Sequence, residues 1–203
     1  MKNFIIIIGC CVGIILGNGC NDDISNHPIE PSGFQLTSFP LEVGNHWQYL
    51  RVNNFDTDIR DTIDCYVLET DTLINGNGVL LLQYEDNQSI FLQEFLYIKD
   101  DTISYYNQFG HLMNRFIFPM EKGDKYPGSS PIFEVLEDNS MYDAFGYSYD
   151  STTLIQHIAK LPNYDLLEKF HIKRNIGIVV RIIDESDSWA IKKETWVLMD
   201  YDL

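Results

Sequence analysis

The sequence predicts an all-β fold: an antiparallel meander forming a curved sheet, half-barrel or sandwich, with at most one short helix. Three observations carry this prediction. The chain holds 24 Ile, 12 Tyr and 12 Phe against only 3 Ala (Ala144, Ala159, Ala190), so residues that suit strands far outnumber the best helix former. Short alternating segments recur every ~8–12 residues, the spacing of sheets, barrels and sandwiches. Asn-Gly and Asp-rich turns fall between them, where tight hairpins need residues that tolerate positive φ. With 45% hydrophobic and 22% charged residues, the chain has the means to bury a core.

The first element is an address. Lys2 is followed by an apolar run from Phe4 to Leu16, too short for the ~20 residues that cross a hydrocarbon core but matched to the hydrophobic region of a secretory signal peptide. Leu16-Gly17-Asn18-Gly19-Cys20 then resembles the lipobox of bacterial lipoproteins, although Gly17 stands where Leu is usual and Leu16 is displaced by one. Ile7-Ile8-Gly9-Cys10 is a second match by residue type, but it leaves an apolar run below the ~7–15 residues a signal needs. A third reading takes Cys20 as the end of an ordinary secretory signal. The resemblance implies that residues 1–19 are removed and that Cys20 becomes a lipidated N-terminus, palmitate being a typical acyl group. The expected partner is the outer membrane of a Gram-negative bacterium. Asp22-Asp23 is similar to an acidic tag that directs some lipoproteins to the cell surface.

Residues 20–38, with His27-Pro28 and Pro31-Ser32-Gly33, read as a flexible tether. A single domain is expected over 39–203, starting at Phe39-Pro40-Leu41. Trp47–Val52, Arg60–Thr70 and Val79–Tyr84 read as the first strands, the last two paired antiparallel around Asn75-Gly76-Asn77-Gly78. Ser89–Lys99, Thr102–Tyr106 and Leu112–Phe118 continue the meander. Pro127-Gly128-Ser129-Ser130-Pro131 reads as a loop. Tyr164–Phe170 is the one candidate for a helical turn or two. Ile176–Ile183 and Trp189–Tyr201 form a closing hairpin around an acidic turn.

Phe39-Pro40-Leu41-Glu42-Val43-Gly44-Asn45-His46-Trp47-Gln48-Tyr49 resembles a recurrent opening of small bacterial envelope lipoproteins of unknown function. Ile176-Gly177-Ile178-Val179 and Trp196-Val197-Leu198-Met199-Asp200-Tyr201 are similar to the Gly-containing strand and the closing strand of the same proteins. The resemblance covers the two edges of the domain. It implies a β-rich domain and carries no catalytic residues. By position, Trp47 and Tyr49 stand on one strand face, and Trp47 reads as a core anchor.

The balance of 14 Lys and Arg against 30 Asp and Glu gives −16 overall and −17 once Lys2 is removed, which excludes nucleic acid as a leading partner because phosphate binding needs clustered cations. Much of the charge falls in turns and in the tether, where it keeps an anchored domain soluble. No nucleophile elbow, zinc helix, paired Cys motif or phosphate loop occurs, so no cofactor and no metal is expected. With Cys20 carrying lipid, Cys65 is the one cysteine of the domain and reads as a buried structural thiol. His27, His46, His111, His157 and His171 show no ligand spacing. Asp56–Asp61 and Asp138–Asp143 offer oxygens for Ca²⁺ but lack the Gly and Glu of a calcium loop, and read as solvated loops. Tyr105-Tyr106 and Tyr147/Tyr149 are candidates for a glycan or apolar-ligand surface, or for strand packing. The leading expectation is a lipid-anchored, non-enzymatic binding or structural module. The alternatives are a carrier of an apolar ligand in a curved sheet, which needs an open pocket of at least ~300 Å³, and a hydrolase with a dispersed site, which needs a concave cluster of titratable groups.

Overall fold

The computed structural model describes residues 33–74, 76–87, 89–106, 112–126, 132–187 and 190–203. The segment 1–19 expected to be a signal, Cys20, His27, His111 and the expected loop at 127–131 lie outside the described residues.

Among the described residues, fourteen strands follow one 3-10 turn at Leu36–Ser38. They are β1 (His46–Asn53), β2 (Arg60–Leu68), β3 (Leu73–Ile74), β4 (Asn77–Gly78), β5 (Leu80–Asp86), β6 (Ser89–Lys99) and β7 (Thr102–Tyr106), then β8 (Leu112–Ile117), β9 (Lys125–Tyr126), β10 (Ile132–Ala144), β11 (Tyr147–Leu161), β12 (Tyr164–Lys173), β13 (Gly177–Asp187) and β14 (Ile191–Asp202). Twelve of them form one antiparallel sheet in the order β8-β7-β6-β5-β2-β1-β14-β13-β12-β11-β10-β9, and β3 and β4 make a separate small hairpin. Apart from that hairpin, every neighbour is next in sequence except at β1–β14, which joins the N-terminal and C-terminal meanders.

The sheet curls until its outer strands meet. The Tyr126 hydroxyl on β9 donates to the Ile117 carbonyl on β8 at 2.9 Å, and Phe116 on β8 packs edge-on against Phe170 on β12 at 5.5 Å. Directly paired residues share a sheet face, so the register traces rows around the concave wall. One runs Asp61, Arg51, Trp196, Arg181, Phe170, Ile155, Val135. The row beside it runs Ile183, Glu168, His157, Phe133. Apolar members of these rows belong to the core, with Trp196, Phe170 and Ile155 at 2% exposure or less. This nearly closed barrel-like sheet is the all-β meander the sequence predicts.

Three local expectations are corrected. Tyr164–Phe170 is strand, not helix: Leu166, Glu168, Phe170 and Ile172 take alternate positions, and the inward place of Glu168 gives the segment its misleading polarity. Asp138–Asp143 is not a loop but the distal half of β10, whose three register shifts interrupt the alternation a strand shows in sequence. Packed structure also reaches further forward than Phe39. Phe34 is buried and exchanges two 3.0 Å backbone hydrogen bonds with Met120.

Beyond Ser140 the β10–β11 hairpin folds across the outside of the sheet. Its two-residue turn, Phe145-Gly146, has positive φ at both residues. Tyr142 lies 5.2 Å from the His171 ring on β12, the Tyr149 hydroxyl donates to the Leu198 carbonyl on β14, and Phe145 meets Arg60 of β2 at 5.9 Å. Beneath this cover Val52, Val180 and Val197, which share the outer face, are fully buried.

Candidate functional site

Two features of the barrel interior have the chemistry of a site. The first is ionic. Arg181 enters from β13 between the rings of Trp196 at 4.9 Å and Phe170 at 5.7 Å, a cationic plane sandwiched by π faces. Its Nε and Nη2 donate to Glu168 Oε1 at 3.1 and 2.6 Å. Glu168 Oε2 meets His157 Nδ1 at 2.9 Å, and His157 stacks on Phe133 at 4.3 Å with the planes 6° apart. From β6, Glu94 comes within 4.0 Å of Arg181 and accepts the Tyr84 hydroxyl at 3.0 Å. Two carboxylates, a guanidinium and an imidazole thus meet inside one barrel, none more than 9% exposed. His157 Nε2 is the one buried side-chain polar atom among the described residues with no hydrogen-bond partner. Toward the rim, burial and hydrogen bonding to Glu185 push the Tyr164 hydroxyl above its ordinary range, with Glu168 and Tyr105 adding to the effect. A second ionic group closes the same end: Arg51 donates to Asp61 and, at 2.8 Å, to Asp86, and lies 5.1 Å from the half-exposed Phe91 ring.

The second feature is apolar and lies at the opposite end, where the chain enters. Phe34–Leu41 crosses the barrel mouth, held by the Phe34–Met120 bridge and by the Asn175 amide donating to the Ser38 carbonyl at 2.8 Å. Phe39 sits 5.7 Å from Phe116 and 6.2 Å from Phe118. Under Phe39 and Leu41 is a void of about 30 Å³, bordered by Trp47, Cys65, Leu82, Leu96 and Ile103. Above the same two residues a groove of about 530 Å³ opens outward, bordered by Thr37, Ser38, Asn45 and Asn175. This void is far smaller than the ~300 Å³ a ligand carrier needs.

Residues 39–49 and 176–179 build this end, the motif read from the sequence. The Trp47 indole donates to the Ile176 carbonyl at 2.7 Å and the Tyr49 hydroxyl to the Ile178 carbonyl at 2.9 Å. Between these carbonyls Gly177 has φ +95°, with Trp47 Nε1 and Pro40 Cδ 3.6 and 3.7 Å from where a Cβ would stand. The two ends of the motif, read separately in sequence, are one packing unit. Trp47 is the core anchor expected of it, at 4% exposure, and Cys65 is a buried thiol. Burial raises the Tyr49 hydroxyl well above its ordinary range, and Cys65 adds to the effect.

Other expected residues are dispersed. His46 bonds Asp64 at 2.9 Å and stacks on Tyr66. His171 belongs to the outer layer, its Nδ1 3.1 Å from Ser140 Oγ and 3.0 Å from Thr152 Oγ1. Tyr105 faces inward beside Leu96, whereas the Tyr106 hydroxyl reaches the Ile74 carbonyl of the small hairpin. Tyr149 is spent on Leu198, and burial pushes its hydroxyl up to about 12. Asp56 accepts the Asp58 amide within its turn. Glu94, Glu168 and Arg181 carried no sequence signal, because they are 74 and 13 positions apart and isolated charges in strands usually face water.

No family model matches the chain, and no curated protein matches it. Among solved structures, a protein of Parabacteroides distasonis provisionally described as a lipoprotein is similar over 85% of this chain and all of its own, at 11% identity and TM-score 0.51. The two chains share a fold. A protein of Bacteroides fragilis with a YmcC-like fold, provisionally described as exported, is similar over 84% of this chain and all of its own at 13% identity, and its TM-score of 0.48 is too low to argue from.

Proposed function

We propose that this chain is a lipid-anchored protein of the Gram-negative envelope, exported by residues 1–19, acylated at Cys20 and held at the outer membrane, and that its β domain is a non-enzymatic binding module. The observation that carries the reading is the lipobox-like Gly17-Asn18-Gly19-Cys20 placed only 13 residues before Gly33, where the described β structure begins. The fold shared with a protein described as a lipoprotein supports it. Two or three acyl chains on one cysteine give stable anchoring where one chain binds marginally. The hydrolase alternative is weaker, since the concave titratable cluster it calls for is present but Glu168 is spent on Arg181 and His157, and Glu94 lies beside Arg181 and Tyr84.

Growth with a labelled fatty acid tests the anchor. The wild-type chain is expected to carry label and to sediment with outer membranes, and Cys20→Ala to lose both. Equal labelling of the two would overturn the assignment.

A further inference from the structure

We infer that the motif-built end of the barrel is a closed binding site for an acyl chain bearing an uncharged polar head, and that Phe39 and Leu41 occupy it as an internal stand-in for the ligand. This rests on reading the domain as a binding module but is independent of the anchor at Cys20. The void and the groove border the same two side chains, so Phe39 and Leu41 are the wall between them. Moving that wall vacates the space of the two side chains and joins about 30 Å³ of apolar interior to the open groove of about 530 Å³ above it.

The wall is built to move. It belongs to a segment outside the main sheet, tied before the wall by the bridge at Phe34 and the bond at Ser38 and after it by Gly44 and Asn45 bonding Val67; between these ties the Phe39 amide donates only to the Leu36 carbonyl of its own 3-10 turn, and the Phe39 and Leu41 side chains hold their places by packing. Such a segment opens at lower free energy than the ladders around it. The ligand class follows from the lining. Below the wall the surfaces are Leu82, Leu96, Ile103 and Phe116, complementary to methylenes. Above it Thr37, Ser38, Asn45 and Asn175 offer neutral hydrogen bonds, and the one charged side chain bordering the groove is Glu42. A carboxylate there repels an anionic head, so a neutral acylglycerol suits the groove better than a fatty acid.

Cys65 borders the void and reports on it. All contacts described above lie within residues 33–203, so the chain from residue 20 onward, carrying Cys20→Ser, contains the site and has Cys65 as its one thiol. Its reaction with uncharged dithiodipyridine is followed with and without monolauroylglycerol, with laurate as the charged comparison. In the wild type we expect slow reaction, slowed further and saturably by monolauroylglycerol and less by laurate. Phe39→Ala/Leu41→Ala should raise the rate at least about tenfold, since a buried thiol reacts through its opened state, and should bind monolauroylglycerol more tightly because the internal competitor is gone. If the double variant loses its β-sheet circular dichroism, Leu41→Ala decides on the same criteria. A folded variant whose Cys65 reacts no faster overturns the proposal, as does monolauroylglycerol that leaves the Cys65 rate unchanged in the wild type. Neither result bears on fatty-acid labelling of Cys20.

Discussion

Gly177 is where the local chemistry of the motif is most exposed to test. Its φ of +95° lies in the region a Cβ disfavours, while the nearest atoms, Trp47 Nε1 and Pro40 Cδ, leave ordinary contact distance for one. Replacement by Ala is therefore opposed by backbone strain and not by collision. We expect Gly177→Ala to destabilise by ~1–2 kcal/mol, read as a lower urea midpoint with unchanged slope; an unchanged midpoint would show that β13 starts without the left-handed residue. That Trp47 anchors a core was legible from its alternation with Tyr49. Its acceptor was not, because Ile176 is 129 residues away and nothing local marks which carbonyl an indole will meet.

Among the elements, those with clean alternation were legible. Ser89–Lys99 and Thr102–Tyr106 are strands with the bounds read from sequence. Those carrying buried polar residues were not. β12 hides Glu168 and His171, and β10 and β11 hide Ser140, Thr152 and Thr153 around register shifts, so apolar residues no longer mark the inward face. The same burial gives the β10–β11 cover a pH dependence. Burial, helped by Lys169, holds His171 down at about 4 against an ordinary 6.5. Ser140, Thr152 and the Tyr142 ring face it, and none of them offers a negative charge. Below pH 6.5 the unfolded chain takes up a proton that the folded chain refuses until pH 4, so stability falls as pH drops through that window, by less than the ~1.4 kcal/mol per unit that one full proton would give. Urea titrations of wild type and His171→Gln between pH 7 and pH 5 should converge as pH falls, and parallel curves would contradict a neutral His171.

At the scale of the whole molecule, the meander does not by itself say how far the sheet curls. The interior charges do. Glu94 on β6 and Glu168 on β12 stand six places apart in the strand order, yet both reach Arg181. A guanidinium shared across the barrel forbids a flat or open sheet, since opening would strand at least one carboxylate in an apolar wall. Buried ion pairs seldom add net stability over apolar packing, but removing one partner leaves an uncompensated charge. Met at position 181 keeps the packing on Trp196 and Phe170 and removes only the charge. We expect Arg181→Met to cost ~3–5 kcal/mol at neutral pH. The loss should shrink as pH falls, because a buried carboxylate without its cation has a folded-state pKa above its unfolded value and the fold then gains by protonation. Arg181→Met combined with Glu168→Gln should recover part of the loss at pH 7 and flatten that pH trend, since the amide can still meet His157 without carrying charge. If the double variant is as unstable as the single one at every pH, the cluster holds the barrel by shape alone, and the curl of the sheet must come from Phe116, Phe133 and Phe170 meeting across the seam.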